Sequence, residues 1–211
     1  MNIEAFILIG GRSSRFDTDK AFVKFNGDML AERAARIAET ALAPAHTTFI
    51  AAKEEQFDAG LLSELERPVI YDLKSGFGAW SALYTALFYA KTEWIFFSAC
   101  DLPLMSPELV KLLAADIADN YDAVVPRQPD GRLQPLCAFY RVTPAIVVAE
   151  GIIAVSGRMP PLTSIVDSLK SRVVEQDEYY DLENADNFFV NINTAADLAS
   201  ITGELAADKR R

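Results

Sequence analysis

The chain has 211 residues, 51% hydrophobic and 24% charged, and a net charge of −10. That length fits one domain with a core large enough to fold without disulfides or metals, and the composition excludes disorder. Two cysteines, Cys100 and Cys137, and one histidine, His46, exclude a disulfide scaffold, a four-ligand zinc site and, with His46 in plain surroundings, a Ser-His-Asp hydrolase. The acidic balance disfavours a nucleic-acid partner. No apolar run reaches the roughly 18 residues of a membrane span, and the N-terminus has no signal-peptide pattern. A cytoplasmic protein with no membrane partner is expected.

Residues 3–9 form an apolar strand that ends in Gly10-Gly11. Residues 10–24 then invert the sign of the chain, with Arg12, Arg15, Lys20 and Lys24 against Asp17 and Asp19. Apolar spacing predicts a helix over 28–42, with Leu30, Ala34, Ile37, Ala38 and Ala41 on one face. Short strands follow at 47–52 and 68–72, the second ending on Asp72. A glycine turn at Gly76 and Gly78 leads to a helix with Trp80, Leu83, Leu87 and Ala90 on its inner stripe.

Trp94 to Ala99 is a charge-free run that reads as a buried strand. Ser106 and Pro107 open a helix lined by Leu109, Leu112, Leu113 and Ile117. Strands are expected at 122–125 and 137–142 around an Asp130-Gly131 turn. Helices are expected at 144–155 and, after Met159-Pro160-Pro161, near 162–170. Residues 188–192 read as a strand. Thr194-Ala195-Ala196-Asp197 reads as a capping box for a last helix carrying Leu198, Ile201 and Leu205. This alternation predicts an α/β fold, a doubly wound three-layer sandwich with a mostly parallel sheet, over 1–211 as one domain. Ligands of such sheets sit at the carboxyl ends of the strands, which places Gly10-Gly11, Asp72 and Asp101 on one rim.

Three segments carry chemistry. Gly10 to Lys20 follows a strand and combines small residues, hydroxyls and bases, a composition that can approach and neutralise phosphates. It matches neither GxxxxGK[ST] nor GxGxxG, and a basic surface loop is the alternative. Asp101 directly follows a buried strand, so it needs a cation, a set of hydrogen bonds or solvent. Mg²⁺ is the natural cation where an acid meets phosphates; a simple turn before Pro103 is the alternative. Asn191 and Asn193 alternate, a spacing that puts both on one side of a strand, unless Asn193 only helps Thr194 start the last helix. Cys100 reads as a buried small hydrophobe.

Taken together, these segments resemble the molybdenum cofactor guanylyltransferase family of nucleoside-triphosphate transferases. The resemblance rests on Leu8-Ile9-Gly10-Gly11-Arg12-Ser13-Ser14-Arg15 with Asp19-Lys20-Ala21, on Asp72, and on Cys100-Asp101-Leu102-Pro103. It continues through Gln134-Pro135-Leu136 and Asn191-Ile192-Asn193-Thr194 with Asp197-Leu198, in order from about residue 3 to about residue 200. The resemblance implies a Mg²⁺-dependent nucleotidyltransferase that moves GMP from GTP to the terminal phosphate of molybdopterin and releases pyrophosphate. By the same resemblance Lys20, Arg15 and Asp101 are catalytic, and Leu8, Ile9, Gly10, Gly11, Lys20, Asp72 and Asp101 hold the nucleotide. Asp101 holds the metal, and Gln134, Asn191 and Asn193 hold the acceptor. Transient contacts with other molybdenum cofactor proteins are the protein–protein partners it implies.

The chain departs from the family pattern at three places. Phe16-Asp17 stands where the family has Met-Gly, Ser75 to Trp80 follows its Gly-Pro-Leu-Ala-Gly only loosely, and Ala51 and Ala52 stand where a base-contacting Asn falls. Other nucleotidyltransferases of the same fold, of cytidylyl or sugar-nucleotide type, and a non-catalytic nucleotide-binding relative are the competing readings.

Overall fold

The computed structural model describes residues 2–10, 19–54, 57, 59–155 and 160–208, the last six by their backbone. Among these residues the chain forms β1 (Ile3–Leu8), β2 (Lys24–Phe25), β3 (Asp28–Met29), α1 (Leu30–Leu42), β4 (Thr47–Ala51), α2 (Ala59–Leu62), β5 (Val69–Tyr71) and α3 (Ala79–Tyr89). There follow β6 (Trp94–Ala99), α4 (Pro107–Ala115), β7 (Ala123–Pro126), β8 (Cys137–Arg141), α5 (Val142–Ala154), α6 (Ser164–Ser168), β9 (Ser171–Val174) and α7 (Ala195–Asp208). Seven strands make one sheet in the order β5-β4-β1-β6-β8-β7-β9. The pairs β5–β4, β4–β1, β1–β6 and β7–β9 are parallel, and β8 runs antiparallel to both its neighbours. The expected mostly parallel, doubly wound sheet is present, with one reversed strand.

The two-residue side-chain period divides the core between the sheet's faces. Ala5, Ile7, Phe96 and Phe139 pack with Ala34, Ala38, Leu109 and Leu113 of α1 and α4. Their neighbours Phe6, Ile95, Phe97, Ala138 and Tyr140 pack with Leu83, Leu87, Ala145 and Ala149 of α3 and α5. A burial pattern without an exposed face along Trp94–Ala99 is what a central strand covered on both sides requires. No helix among the described residues is long and apolar enough to cross a membrane.

Several expected boundaries are corrected. Residues 28–29 are not helical: Asn26 and Gly27, both at positive φ, turn β2 back into β3. Asn-Gly is the pair that a tight hairpin turn favours. The helix expected to reach residue 170 stops at Ser168, and Ser171–Val174 pairs with β7 as the sheet's last strand. Residues 188–192 are not a strand. A 3₁₀ turn at Ala185–Asn187 precedes them, and the adjacent Phe188 and Phe189 are both buried, which strict alternation forbids. The Met159 break lies outside the described residues.

Candidate active site

The rim is assembled from the carboxyl end of β1. Beyond Leu8, the N–H groups of Ile9 and Gly10 both donate to the Ile50 carbonyl, at 2.9 and 3.2 Å. This pulls the chain so close to β4 that a Cβ on Gly10 would stand 2.6 Å from the Ala52 nitrogen. The glycine is therefore required by a backbone crossing. Its N–H is already engaged by the Ile50 carbonyl. Gly11, Arg12 and Arg15 lie outside the described residues.

Asp19 caps the next turn, its Oδ1 accepting the Ala21 N–H at 3.2 Å, and Lys20–Phe22 form one turn of 3₁₀ helix. Ala21 and Phe22 are buried in the α1–α4 face and anchor the turn, so the Lys20 side chain leaves it toward the rim. Val23, Phe25 and Leu30 form a small third cluster with Ile192 and Ile201. That cluster is what brings the segment before α7 against the start of the chain.

At the end of β6, the Cys100 N–H donates to the Leu8 carbonyl at 3.1 Å and fixes the turn that presents Asp101. The Asp101 carbonyl accepts the Ile192 N–H at 3.1 Å. The three segments meet at one ammonium: Lys20 Nζ donates to Asp101 Oδ2 and to Asn193 Oδ1, both at 2.8 Å. The Lys20–Asp101 pair is partly buried, at 18% and 23% side-chain exposure, which strengthens its attraction over that of a surface pair. Arg33 of α1 supports the same loop, its Nε donating to the Pro103 carbonyl at 2.6 Å.

Asp72 stands just past β5, its N–H bonded to the Ala51 carbonyl at 3.0 Å. One of its carboxylate oxygens is buried without a hydrogen-bond partner. That burial pushes its pKa up to about 7. The loop after it turns through Gly76 and Gly78, both at positive φ, before α3 begins. Gln134 lies on the same rim, because β8 starts opposite the end of β6. Its buried side chain shapes the turn, Oε1 accepting the Leu136 N–H at 3.3 Å.

Asn191 is exposed, and with no strand at 188–192 the shared-face argument for Asn191 and Asn193 fails. Asn193 reaches Lys20 by another route. Asp197 Oδ2 accepts both its N–H and that of Thr194 at 2.8 Å, and the Asp197 N–H donates to Thr194 Oγ1 at 3.1 Å. The sequence pattern identified the capping box but not its hold on Asn193. Cys100 and Cys137 are buried thiols whose pKa values burial pushes up, which suits packing rather than nucleophilic chemistry.

Asp101 Oδ2 and Asn193 Oδ1 are two hard oxygens converging on one cationic group. Among the described residues no cluster of three or more His, Cys, Asp or Glu could hold a metal. One carboxylate with an amide oxygen fits Mg²⁺ that arrives with phosphates, since that ion uses few protein ligands and completes its shell with phosphate and water.

A family model described as a MobA-like NTP transferase domain matches residues 5–158. The chain is 30% identical over 198 residues to the molybdenum cofactor guanylyltransferase of Yersinia pseudotuberculosis, covering 93% of each. It is 30% identical over 199 residues to the probable molybdenum cofactor guanylyltransferase of Bacillus licheniformis, covering 92% of this chain and 94% of that one. The solved structure of molybdopterin-guanine dinucleotide biosynthesis protein A from Archaeoglobus fulgidus matches with a TM-score of 0.75 at 24% identity, over 97% of this chain and 99% of that one. The 4-diphosphocytidyl-2C-methyl-D-erythritol synthase of Anaerococcus prevotii shares the fold, with a TM-score of 0.70 at 14% identity over 97% of this chain and 96% of that one.

Proposed function

The chain belongs to the MobA-like NTP transferase family, and we propose that it transfers GMP from GTP to the terminal phosphate of molybdopterin, releasing pyrophosphate. The observation that carries this reading is the convergence of Lys20, Asp101 and Asn193 at the carboxyl ends of β1 and β6. It joins a cation, a metal-capable acid and a neutral amide at one point.

In the reaction, an oxygen of the acceptor's terminal phosphate attacks the α-phosphorus of GTP. The bond from the α-phosphorus to the α–β bridging oxygen breaks, and pyrophosphate leaves with that electron pair. The attacking phosphate is already ionised near neutral pH, so no general base is needed. The protein's work is positioning and charge neutralisation. Lys20 exchanges its carboxylate partner for the triphosphate and neutralises charge on the leaving group. Arg15 adds a second cation, and the backbone of Leu8 to Gly11 borders the phosphates.

Asp101, with Asn193 beside it, would hold Mg²⁺, which supplies charge neutralisation at the phosphates when bound. Asp72, with one oxygen lacking a partner, accepts a hydrogen bond from the nucleoside. Asn191 and Asn193 contact the acceptor, and Gln134 shapes the turn that borders it. Ala51 and Ala52 leave the base with one fewer hydrogen bond than the family pattern provides, so guanine is preferred with reduced discrimination.

Pyrophosphate release from GTP, ATP, CTP and UTP, each with and without molybdopterin, tests this reading. Release from GTP that requires molybdopterin is the expected result. Preference for CTP, or release that ignores the acceptor, contradicts it.

A further inference from the structure

Asp197 lies near enough to Lys20 for their charges to interact, and a helix cap alone would explain its place in the first turn of α7. The geometry asks for more. Capping α7 needs the Thr194 hydroxyl and an acceptor for the Thr194 N–H. Asp197 Oδ2 also takes the N–H of Asn193, at 2.8 Å, although that residue precedes the cap and its N–H is not one the helix leaves unpaired. One carboxylate oxygen thus fixes the backbone on both sides of the Asn193 Cα. On the other flank, the Ile192 N–H is held by the Asp101 carbonyl. Asn193 is therefore clamped from before and behind while its Oδ1 accepts the Lys20 ammonium.

We propose that Asp197 is a positioning residue for nucleotidyl transfer, acting through Asn193 to hold the Lys20 ammonium at the start of α7, where it can pass from Asp101 to the triphosphate. The proposal rests on the reading of function above. Asp197 makes no contact with reacting atoms. It sets where the Asn193 amide oxygen stands, and so where the lysine can rest. A misplacement on the order of 1 Å of a charge-neutralising group lowers the chemical rate by up to about 10²-fold.

The experiment compares Asp197→Ala, Asp197→Asn and Thr194→Ala. The asparagine retains an oxygen that can accept both N–H groups. The threonine variant removes the other half of the capping box and leaves the Asn193 bond intact, so it reports helix order alone. Expected is a kcat lowered about tenfold in Asp197→Ala with GTP affinity changed by less than about threefold. Asp197→Asn restores most of that loss, and Thr194→Ala lowers the melting temperature while keeping kcat within about twofold of wild type. The proposal is overturned if Thr194→Ala slows turnover as much as Asp197→Ala does, or if Asp197→Ala leaves kcat unchanged.

Amide hydrogen exchange at Asn193 in the ligand-free protein gives a readout independent of the reaction. Protection is lost in Asp197→Ala and kept in Thr194→Ala, and equal protection in all variants contradicts the clamp. If wild type transfers no GMP to molybdopterin, the reading of function fails while this exchange experiment still decides the clamp.

Discussion

At the end of β6, Asp101 faces an ammonium at 2.8 Å, whereas at the end of β5, Asp72 has one oxygen buried with no partner. Both acids close strands of the same parallel half of the sheet, so topology alone treats them alike. Their surroundings do not. Asp101 is reached by a cation from the turn at Lys20–Phe22 and pairs with it. Asp72 is desolvated without compensation, and its pKa rises to about 7. A carboxylate already paired with one cation can exchange it for another, which suits metal and triphosphate. A buried carboxylate with an open acceptor is completed only by a donor from outside, which suits a nucleoside.

The comparison breaks first at Asp101. Asp101→Asn is expected to fold and to lower the rate by roughly two to three orders of magnitude, since an electrostatic contact to the reacting phosphates is lost. A chelator should abolish turnover in wild type. A folded Asp101→Asn with wild-type turnover would reduce this acid to a turn residue. Lys20→Ala is expected to cost about two orders of magnitude in rate, by analogy with the loss of one preorganised donor. Steady-state kinetics on both variants, with circular dichroism as the check on folding, decides these outcomes.

Asp72 predicts a pH effect of opposite origin. Hydrogen bonds from the nucleoside favour its ionised form, so GTP affinity falls as pH drops through about 7. A single linked proton gives a decrease on the order of tenfold between pH 8 and pH 6. Titrating wild type and Asp72→Asn side by side separates this effect from protonation of GTP itself, because only the wild type carries the extra slope.

The smallest effect is on stability. The folded-state pKa of Asp72 is raised above its unfolded value, so the folded chain binds the extra proton, and stability is lost as pH rises toward about 7. Asp72→Asn should therefore raise the melting temperature at pH 8 and not at pH 4. Solvent screening at this partly buried residue holds the gain to about 1 kcal/mol, or about 2–4 °C. Thermal melts at the two pH values check the sign.

How much of this was legible in the sequence depends on the range of the interactions. The long apolar runs at 3–8 and 94–99 gave their strands away because a central strand must be hydrophobic on both faces. The Ser106 and Thr194 caps were readable because capping uses residues three apart. The Asn26-Gly27 hairpin was also written in the sequence, but the helical spacing that follows it masked the turn. The reversed direction of β8 and the pairing of Ser171–Val174 are long-range properties with no local signal. At the site, the residues Lys20, Asp101 and Asn193 were nameable one by one. Their meeting depends on Ile192 and Ile201 packing on Val23, Phe25 and Leu30, across more than half the chain. The shared-face argument for Asn193 rested on a strand that does not exist, and the residue arrives at Lys20 through the Asp197 carboxylate instead.

Isothermal titration of GTP and ATP into wild type, Asp101→Asn and Asp72→Asn, each with and without Mg²⁺, tests the division of labour between the two acids most directly. The account predicts that Asp101→Asn loses the gain in affinity that Mg²⁺ brings while still favouring GTP over ATP. It predicts that Asp72→Asn keeps the Mg²⁺ gain and binds both nucleotides more weakly. If Asp72→Asn instead abolishes the Mg²⁺ gain and Asp101→Asn keeps it, the roles assigned to the two carboxylates are wrong.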